Sequence, residues 1–325
     1  MSMSSSPRSS LSPLSGRSPL TPRSPHSPAF TPASALTSDV VVRRLRAAGC
    51  VFAEDEAELL FSAAGSPAEL AAMVERRIVG LPLEHVLGWA EFCGLRVAVD
   101  PGVFVPRRRT EFLARQAAEL LRQAAAGQAR RGACRAGGRT GRALALAPAR
   151  PVVVDLCCGS GAVGAVLAAA RTEIDLYAAD IDPAAVRCAR RNIGSGGSVY
   201  EGDLYDPLPD TLRGRVDVLV VNAPYVPTEA IGLLPPEARI YESRVALDGG
   251  VDGLDIQRRV AADALAWLAP GGRLLIETSE RQAPRTVATF ADHGLAPRVV
   301  ECDDLDATVV IGTKPTNAGD RTGRV

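Results

Sequence analysis

The chain has almost no lysine: Lys314 is the only one among 37 basic residues, the rest being arginine. Beside abundant alanine and glycine, so one-sided a choice reads as codon usage rather than chemistry. Aromatic residues are scarce too, at 4%, and they do not interleave with basic ones, which disfavours nucleic acid as a partner. The formal net charge is zero, so nothing in the bulk electrostatics pulls the chain toward nucleic acid or an anionic membrane. The seven cysteines (Cys50, Cys93, Cys134, Cys157, Cys158, Cys188 and Cys302) show no paired CxxC spacing. No metal site or disulfide framework is expected from them, and a reducing cytoplasm fits. No apolar run is long enough to span a membrane, and no charged-then-apolar signal segment is present. The expectation is a cytoplasmic protein that does not engage a membrane.

What the chain does have is 325 residues, 46% hydrophobic and 23% charged, the composition of an ordinary globular protein with one large domain or two smaller ones. Residues 1–36 are Ser/Pro-rich, with too few large apolar side chains to offset their ordering entropy, and read as a disordered tail. Residues 315–325 read as a second tail. Residues 37–80 carry apolar positions at helical spacing (Val41, Leu45, Ala57, Leu60), and Ser66-Pro67 opens a further helix. That stretch is a small helical domain. Residues 81–110, LPLEHVLGWAEFCGLRVAVDPGVFVPRRRT, contain a β-hairpin around Gly94 and form a linker. His85 has no second histidine nearby in sequence and reads as a helix-end or packing residue rather than a ligand. A helix spans residues 111–122. Over 123–150 the apolar periodicity disappears into Ala, Gly and Arg, which predicts a flexible insertion.

From residue 152 the pattern alternates strand and helix. Val152-Val153-Val154-Asp155-Leu156 is an apolar run that breaks into Cys157-Cys158-Gly159-Ser160-Gly161, after which a helix starts. A strand, a Gly-containing turn and a helix N-terminus suit a nucleotide-like ligand. The spacing Gly159-x-Gly161-x-x-Gly164 leaves NAD and other adenosine cofactors both open, and Asp155 before the turn favours a cationic ligand over a pyrophosphate. A second strand ends in Asp180-Ile181 about twenty residues on, where an acid can bind ribose hydroxyls. A third ends in Asp203-Leu204, which can frame an adenine.

The fourth strand, over residues 216–221, is an apolar β-branched run of the kind buried in parallel sheets. It stops at Asn222-Ala223-Pro224-Tyr225. An amide, a stiff turn and an aromatic face at a strand's carboxyl end suit the grip of a planar –NH2 group; an ordinary strand-to-loop turn is the alternative. Asp155, Asp180, Asp203 and Asn222 thus all fall at strand ends on one edge of one sheet.

Together DLCCGSG, AADID and NAPY resemble the class I S-adenosylmethionine-dependent methyltransferases. The linker segment and residues 246–255, ALDGGVDGLD, narrow the resemblance to the HemK/PrmC family of protein N5-glutamine methyltransferases, over residues 41–313 without the 123–150 insertion. The resemblance implies an α/β fold with a Rossmann-like seven-stranded sheet, a helical substrate-recognition domain and a hairpin linker. It implies S-adenosylmethionine as cofactor, held by Phe104, Asp155, Cys157, Cys158, Gly159, Ser160, Gly161, Asp180, Ile181, Asp203, Leu204 and Asn222. It implies catalysis by Asn222, Ala223, Pro224 and Tyr225 on a glutamine side-chain amide, in the GGQ motif of a peptide chain release factor; a monomer is expected. Three departures mark a divergent subgroup: NAPY for the family's NPPY, Cys157-Cys158 for Gly-Thr, and PRRRTE for PRPETE. An amino-methyltransferase acting on adenine N6 or another nucleic-acid amine, and a weakly active cofactor-binding protein, are the alternatives.

Overall fold

The computed structural model describes residues 36–136, 150–170 and 173–316. Most of the 1–36 tail, the 137–149 part of the expected insertion and most of the 315–325 tail lie outside the described residues. The chain opens with α1 (Ser38–Ala47), α2 (Ala53–Ala63), α3 (Pro67–Ile78) and the short α4 (Leu83–Leu87). The Ser-Pro signal works as read: the Ser66 hydroxyl accepts the Glu69 N–H, and Pro67 takes the first helical position. The apolar faces of these helices close on their own core of Val41, Leu45, Leu60, Leu70 and Val74. Buried Arg77 forks onto both oxygens of Glu56 at 2.7 and 3.0 Å. Its Nη1 reaches Glu237 at 2.6 Å, far along the chain, so the helical unit is tied to the segment beyond the fourth strand of the sheet.

The hairpin follows as β1 (Trp89–Phe92) and β2 (Leu95–Ala98). Its two-residue turn, Cys93-Gly94, has positive φ at both positions, the conformation that matches the twist of the flanking strands. Helix α5 (Thr110–Ala136) then corrects one expectation: it runs on through residues 123–136, where the loss of periodicity predicted a flexible insertion. Alanine, glutamine and arginine are strong helix formers, and a helix does not need an apolar stripe to continue.

Strands β3 (Val152–Leu156), β4 (Asp175–Asp180), β5 (Gly197–Glu201), β6 (Val216–Val221), β7 (Leu268–Thr278), β8 (Ala296–Cys302) and β9 (Ala307–Thr313) make one seven-stranded sheet. Its order is β5-β4-β3-β6-β7-β9-β8. All neighbours are parallel except β9, which runs antiparallel to both β7 and β8. Helices α6 (Ala162–Ala169), α7 (Pro183–Ile193), α8 (Pro236–Tyr241), α9 (Asp255–Trp267) and α10 (Ala283–Asp292) complete the chain. On one face, Val153, Val218 and Val220 pack with Leu113 and Leu121 of α5 and Leu167 of α6. On the other, Val154, Leu219 and Val221 pack with Val260 and Trp267 of α9 and Phe290 of α10. Both faces being covered, the central strands read as unbroken apolar runs. This is the doubly wound α/β fold, closed by an antiparallel pair, that the resemblance implied.

The chain winds outward from β3 through β4 to β5, then returns to β6 on the other side of β3. That reversal opens a crevice at the carboxyl ends of β3 and β6, the place where such sheets bind ligands. Asn192 of α7 pins the hairpin beside it, accepting the Ala98 N–H at 2.9 Å and donating to the Ala98 carbonyl at 2.8 Å.

Candidate active site

A cavity of about 640 Å³ occupies the crevice. Every sequence-derived site residue lines it except Gly161. Gly161 sits behind the loop with φ +76°, and a Cβ there would lie 2.9 Å from Ala189. Its role is to let α6 pack against α7, and Gly164 does the same against Ile193 at 2.9 Å. Two glycines of the dinucleotide-like spacing therefore serve helix packing. The third, Gly159, donates its N–H to Asp180 Oδ2 at 2.8 Å, which occupies it with a carboxylate instead of a pyrophosphate.

Asp155 and Asp180 differ in role. Asp155 is buried on β3 and turns its Oδ2 to the Gly164 N–H at 3.0 Å, so it anchors the start of α6 beneath the cavity wall. Burial pushes its carboxyl up to about 7; the Gly164 N–H opposes that shift and the neighbouring Asp180 charge adds to it. Asp180 ends β4 and accepts the Gly159 and Asp182 N–H groups, one on each oxygen, at 2.8 and 2.9 Å. Burial raises its pKa as well, against those two donors. A carboxylate offers about four acceptor sites, so Asp180 keeps capacity for a ligand hydroxyl. Asp203, past β5, holds Arg259 at 2.7 Å. Burial drives the thiols of Cys157 and Cys158 well above their ordinary value, so both contribute neutral, apolar wall.

Phe104 is positioned by its own segment. The Arg107 guanidinium stacks 4.8 Å from its ring centroid. Arg107 in turn grips both oxygens of buried Glu242 at 2.6 and 2.7 Å, and Glu242 also accepts the Val105 N–H at 3.3 Å. His85, as expected, is a packing residue: it is buried and its Nε2 meets the Val103 carbonyl at 2.8 Å. Of the two additional arginines in PRRRTE, Arg109 lines the cavity and Arg108 does not.

Asn222-Ala223-Pro224-Tyr225 leaves β6 at the cavity wall. Asn222 Nδ2 donates to Thr110 Oγ1 at 3.3 Å; no hydrogen bond among the described residues uses its Oδ1. The Tyr225 hydroxyl donates to Glu277 Oε1 at 3.4 Å. Burial, with the Glu277 charge, pushes that phenol up to about 12, so Tyr225 is neutral at physiological pH.

The ALDGGVDGLD stretch is the cradle of this tetrapeptide. Val226 donates to the Leu247 carbonyl at 3.1 Å and accepts the Gly249 N–H at 2.9 Å. A Cβ on Gly249 would stand 2.7 Å from the Pro224 carbonyl oxygen, and one on Gly253 only 2.2 Å from that of Tyr225. Backbone approach this close needs glycine. Gln282 locks the arrangement by donating Nε2 to the Tyr225 carbonyl at 3.0 Å and the Asp252 carbonyl at 3.2 Å. Helix α9 begins only at Asp255 for the same reason: Gly250 and Gly253 have positive φ, and the Asp252 carboxylate accepts the Leu254 N–H at 3.1 Å in a turn. Thr110, Gln282 and Glu277 were not singled out as site residues by sequence. Each belongs to a different element, and only the fold brings them to the tetrapeptide.

Residues 143–250 match the methyltransferase small domain family. The release factor glutamine methyltransferase of Geobacter sulfurreducens is 35% identical over 253 residues, covering 76% of this chain and 79% of the relative. That of Mycolicibacterium smegmatis is 35% identical over 257 residues, 77% and 82% of the two chains. A 4-amino-L-phenylalanine/4-methylamino-L-phenylalanine methyltransferase of Streptomyces pristinaespiralis is 36% identical over 224 residues, 68% and 69%. With the sheet order, the strand-end acids and the cradled tetrapeptide already in place, likeness of this extent settles the kinship: the chain belongs to the release factor glutamine methyltransferase family.

Proposed function

We propose that this protein transfers a methyl group from S-adenosylmethionine to the side-chain amide nitrogen of a glutamine in a peptide chain release factor. The observation that carries the reading is the state of Asn222. Its donor end is engaged by Thr110, its acceptor end has no hydrogen bond among the described residues, and both Asn222 and Ala223 line the cavity. Two acceptors side by side match the two N–H bonds of a primary amide.

The cavity fits the cofactor by its donor set. Its wall carries Asp180 and Asp182, while two of its three cations, Arg107 and Arg259, are already paired with Glu242 and Asp203, the third being Arg109; such a wall suits a cationic sulfonium. Asp180 would hold the ribose hydroxyls, Leu204 and Ile181 would flank the adenine, and Phe104 would cover the adenosine. S-adenosylmethionine, when bound, supplies an electrophilic methyl group on a sulfonium. An amide nitrogen is a poor nucleophile because its lone pair is delocalised, so the contribution asked of the protein is positioning. Asn222 Oδ1 and the Ala223 carbonyl would accept both amide protons, aim the nitrogen and stabilise the positive charge that develops on it. Tyr225, neutral and half-buried, would pack on the flat face of the amide. The helical unit of α1–α4, tied by Arg77 to Glu237 at the cavity mouth, would receive the substrate protein.

The test is labelled methyl transfer to purified release factor, ribosomes, DNA and free 4-amino-L-phenylalanine in parallel. Label on a release-factor glutamine is the expected result. Label on DNA or on the free aryl amine would replace the substrate, and no transfer to any acceptor would support a cofactor-binding role.

A further inference from the structure

One buried acid beside the site has no part in the chemistry described so far. Glu277 lies on β7, 1% exposed. Val221 of β6 pairs with Ile276 of β7, so the next residues along, Asn222 and Glu277, are neighbours across the two strand ends. Glu277 does not line the cavity. It sits behind the tetrapeptide, where its Oε1 accepts from the Tyr225 hydroxyl at 3.4 Å. Its Oε2, also buried, has no hydrogen-bond partner among the described residues. A carboxylate left this incompletely satisfied costs stability, and an amide or aliphatic side chain would pack there at less cost.

The surroundings show what the acid can do. Burial raises its pKa, against the Thr110 hydroxyl, Arg109 and the Tyr225 hydroxyl, which favour the charged form. Thr110 is itself buried and is the residue whose Oγ1 accepts from Asn222 Nδ2 at 3.3 Å. A hydroxyl has a single proton to donate, and an ionised carboxylate can only accept. With Glu277 ionised and the Thr110 proton turned toward it, only oxygen lone pairs remain for Asn222. Asn222 must then present Nδ2 to Thr110 and Oδ1 to the cavity. With no acid behind it, the hydroxyl can turn its proton to Asn222, and the amide can flip to present –NH2 to an acceptor –NH2.

We propose that Glu277 is a positioning residue for methyl transfer: through Thr110 it sets which end of the Asn222 amide faces the acceptor, and through the phenol it holds the Tyr225 ring. This rests on the reading of Asn222 as the amide-gripping residue.

The experiment compares Glu277→Gln, Thr110→Val and the double variant with the parent in single-turnover methyl transfer. Cofactor affinity by calorimetry and melting temperature are measured alongside. Glu277→Gln keeps the shape and an acceptor oxygen but ends the acceptor-only character. The expected result is a folded protein with parental cofactor affinity and a single-turnover rate lowered roughly 10- to 100-fold, the scale on which small misplacements act. Thr110→Val should fall by a similar factor, and the double variant should be no slower than the slower single, because both act through one path. Glu277→Asp, which restores the charge, should recover part of the rate. A Glu277→Gln enzyme at the parental rate overturns the proposal, and so do losses that add in the double variant. A rate loss matched by lost cofactor affinity and a lower melting temperature also overturns it, as general damage. Asn222→Ala measured in the same assay separates the two claims. If it is slow while Glu277→Gln is parental, only the positioning role fails; if it is itself parental, the underlying reading fails with it.

Discussion

Replacing Gly253 by alanine tests the cradle under the tetrapeptide with a single methyl group. The residue has φ +77°, and its new Cβ would stand 2.2 Å from the Tyr225 carbonyl oxygen and 2.5 Å from Gln282 Nε2. The left-handed backbone conformation costs an alanine about 1–2 kcal/mol, and forcing a methyl into filled space costs about 1–3 kcal/mol more. A total of about 2–5 kcal/mol corresponds to a fall in melting temperature of roughly 3–7 °C in a chain of this size. The functional effect is the sharper part. Restoring ordinary contact requires the Tyr225 carbonyl to retreat by about 1 Å, a displacement worth roughly 10² in rate when reacting groups must be aligned. It also breaks the Gln282 bonds to Tyr225 and Asp252. The assays are thermal melting and single-turnover methyl transfer, with Gly232→Ala as control, since a Cβ at that glycine meets nothing within 4 Å. Gly253→Ala turning over at the parental rate, even with a lower melting temperature, would refute the claim that this stretch positions the tetrapeptide.

Three further predictions follow from the site. Asp180→Ala should weaken S-adenosylmethionine binding by about 1.5–3 kcal/mol, the range for lost hydrogen bonds to a charged group; unchanged affinity by calorimetry would remove Asp180 from the cofactor site. Ala223→Pro should preserve turnover or raise it, because the carbonyl survives and the ring stiffens the turn; a clear fall in single-turnover rate would show that the alanine is needed for room. Asp155→Asn should change how stability depends on pH. The folded-state value of about 7 lies above that of an unfolded aspartate, so the stability Asp155 contributes is complete below about pH 4 and is lost as the pH rises to about 7. Asp180, raised in the same direction, is present in parent and variant alike. Asp155→Asn should therefore gain on the parent between acid and neutral pH in urea unfolding, and a stability difference independent of pH would contradict the buried-acid account.

Much of this architecture is legible along the chain, because a doubly covered parallel sheet writes its strands as apolar runs. Residues 152–156 and 216–221 could be placed in this way, with Asp155, Asp180, Asp203 and Asn222 at the ends that meet in one crevice. Helix α5 was legible only to residue 122, since periodicity detects a buried face and the continuation rests on helix propensity instead. The placement of Gly161 against Ala189 was hidden behind a motif that looks like a ligand loop. Glu277, Thr110 and Gln282 were illegible as a group for a topological reason. They come from β7, the start of α5 and the turn before α10, and nothing local to any of them announces that they meet at Asn222 and Tyr225.

The central claim is that Asn222 grips the acceptor amide, and its most direct test is Asn222→Ala in single-turnover methyl transfer to a release factor, with the modified glutamine located by mass spectrometry. Asn222 supplies one of two acceptors to the amide protons, and loss of one such preorganised group costs roughly 10²–10³ in rate. A fall of that size is expected, with cofactor affinity nearly unchanged. An Asn222→Ala enzyme that methylates the same glutamine as fast as the parent would contradict it.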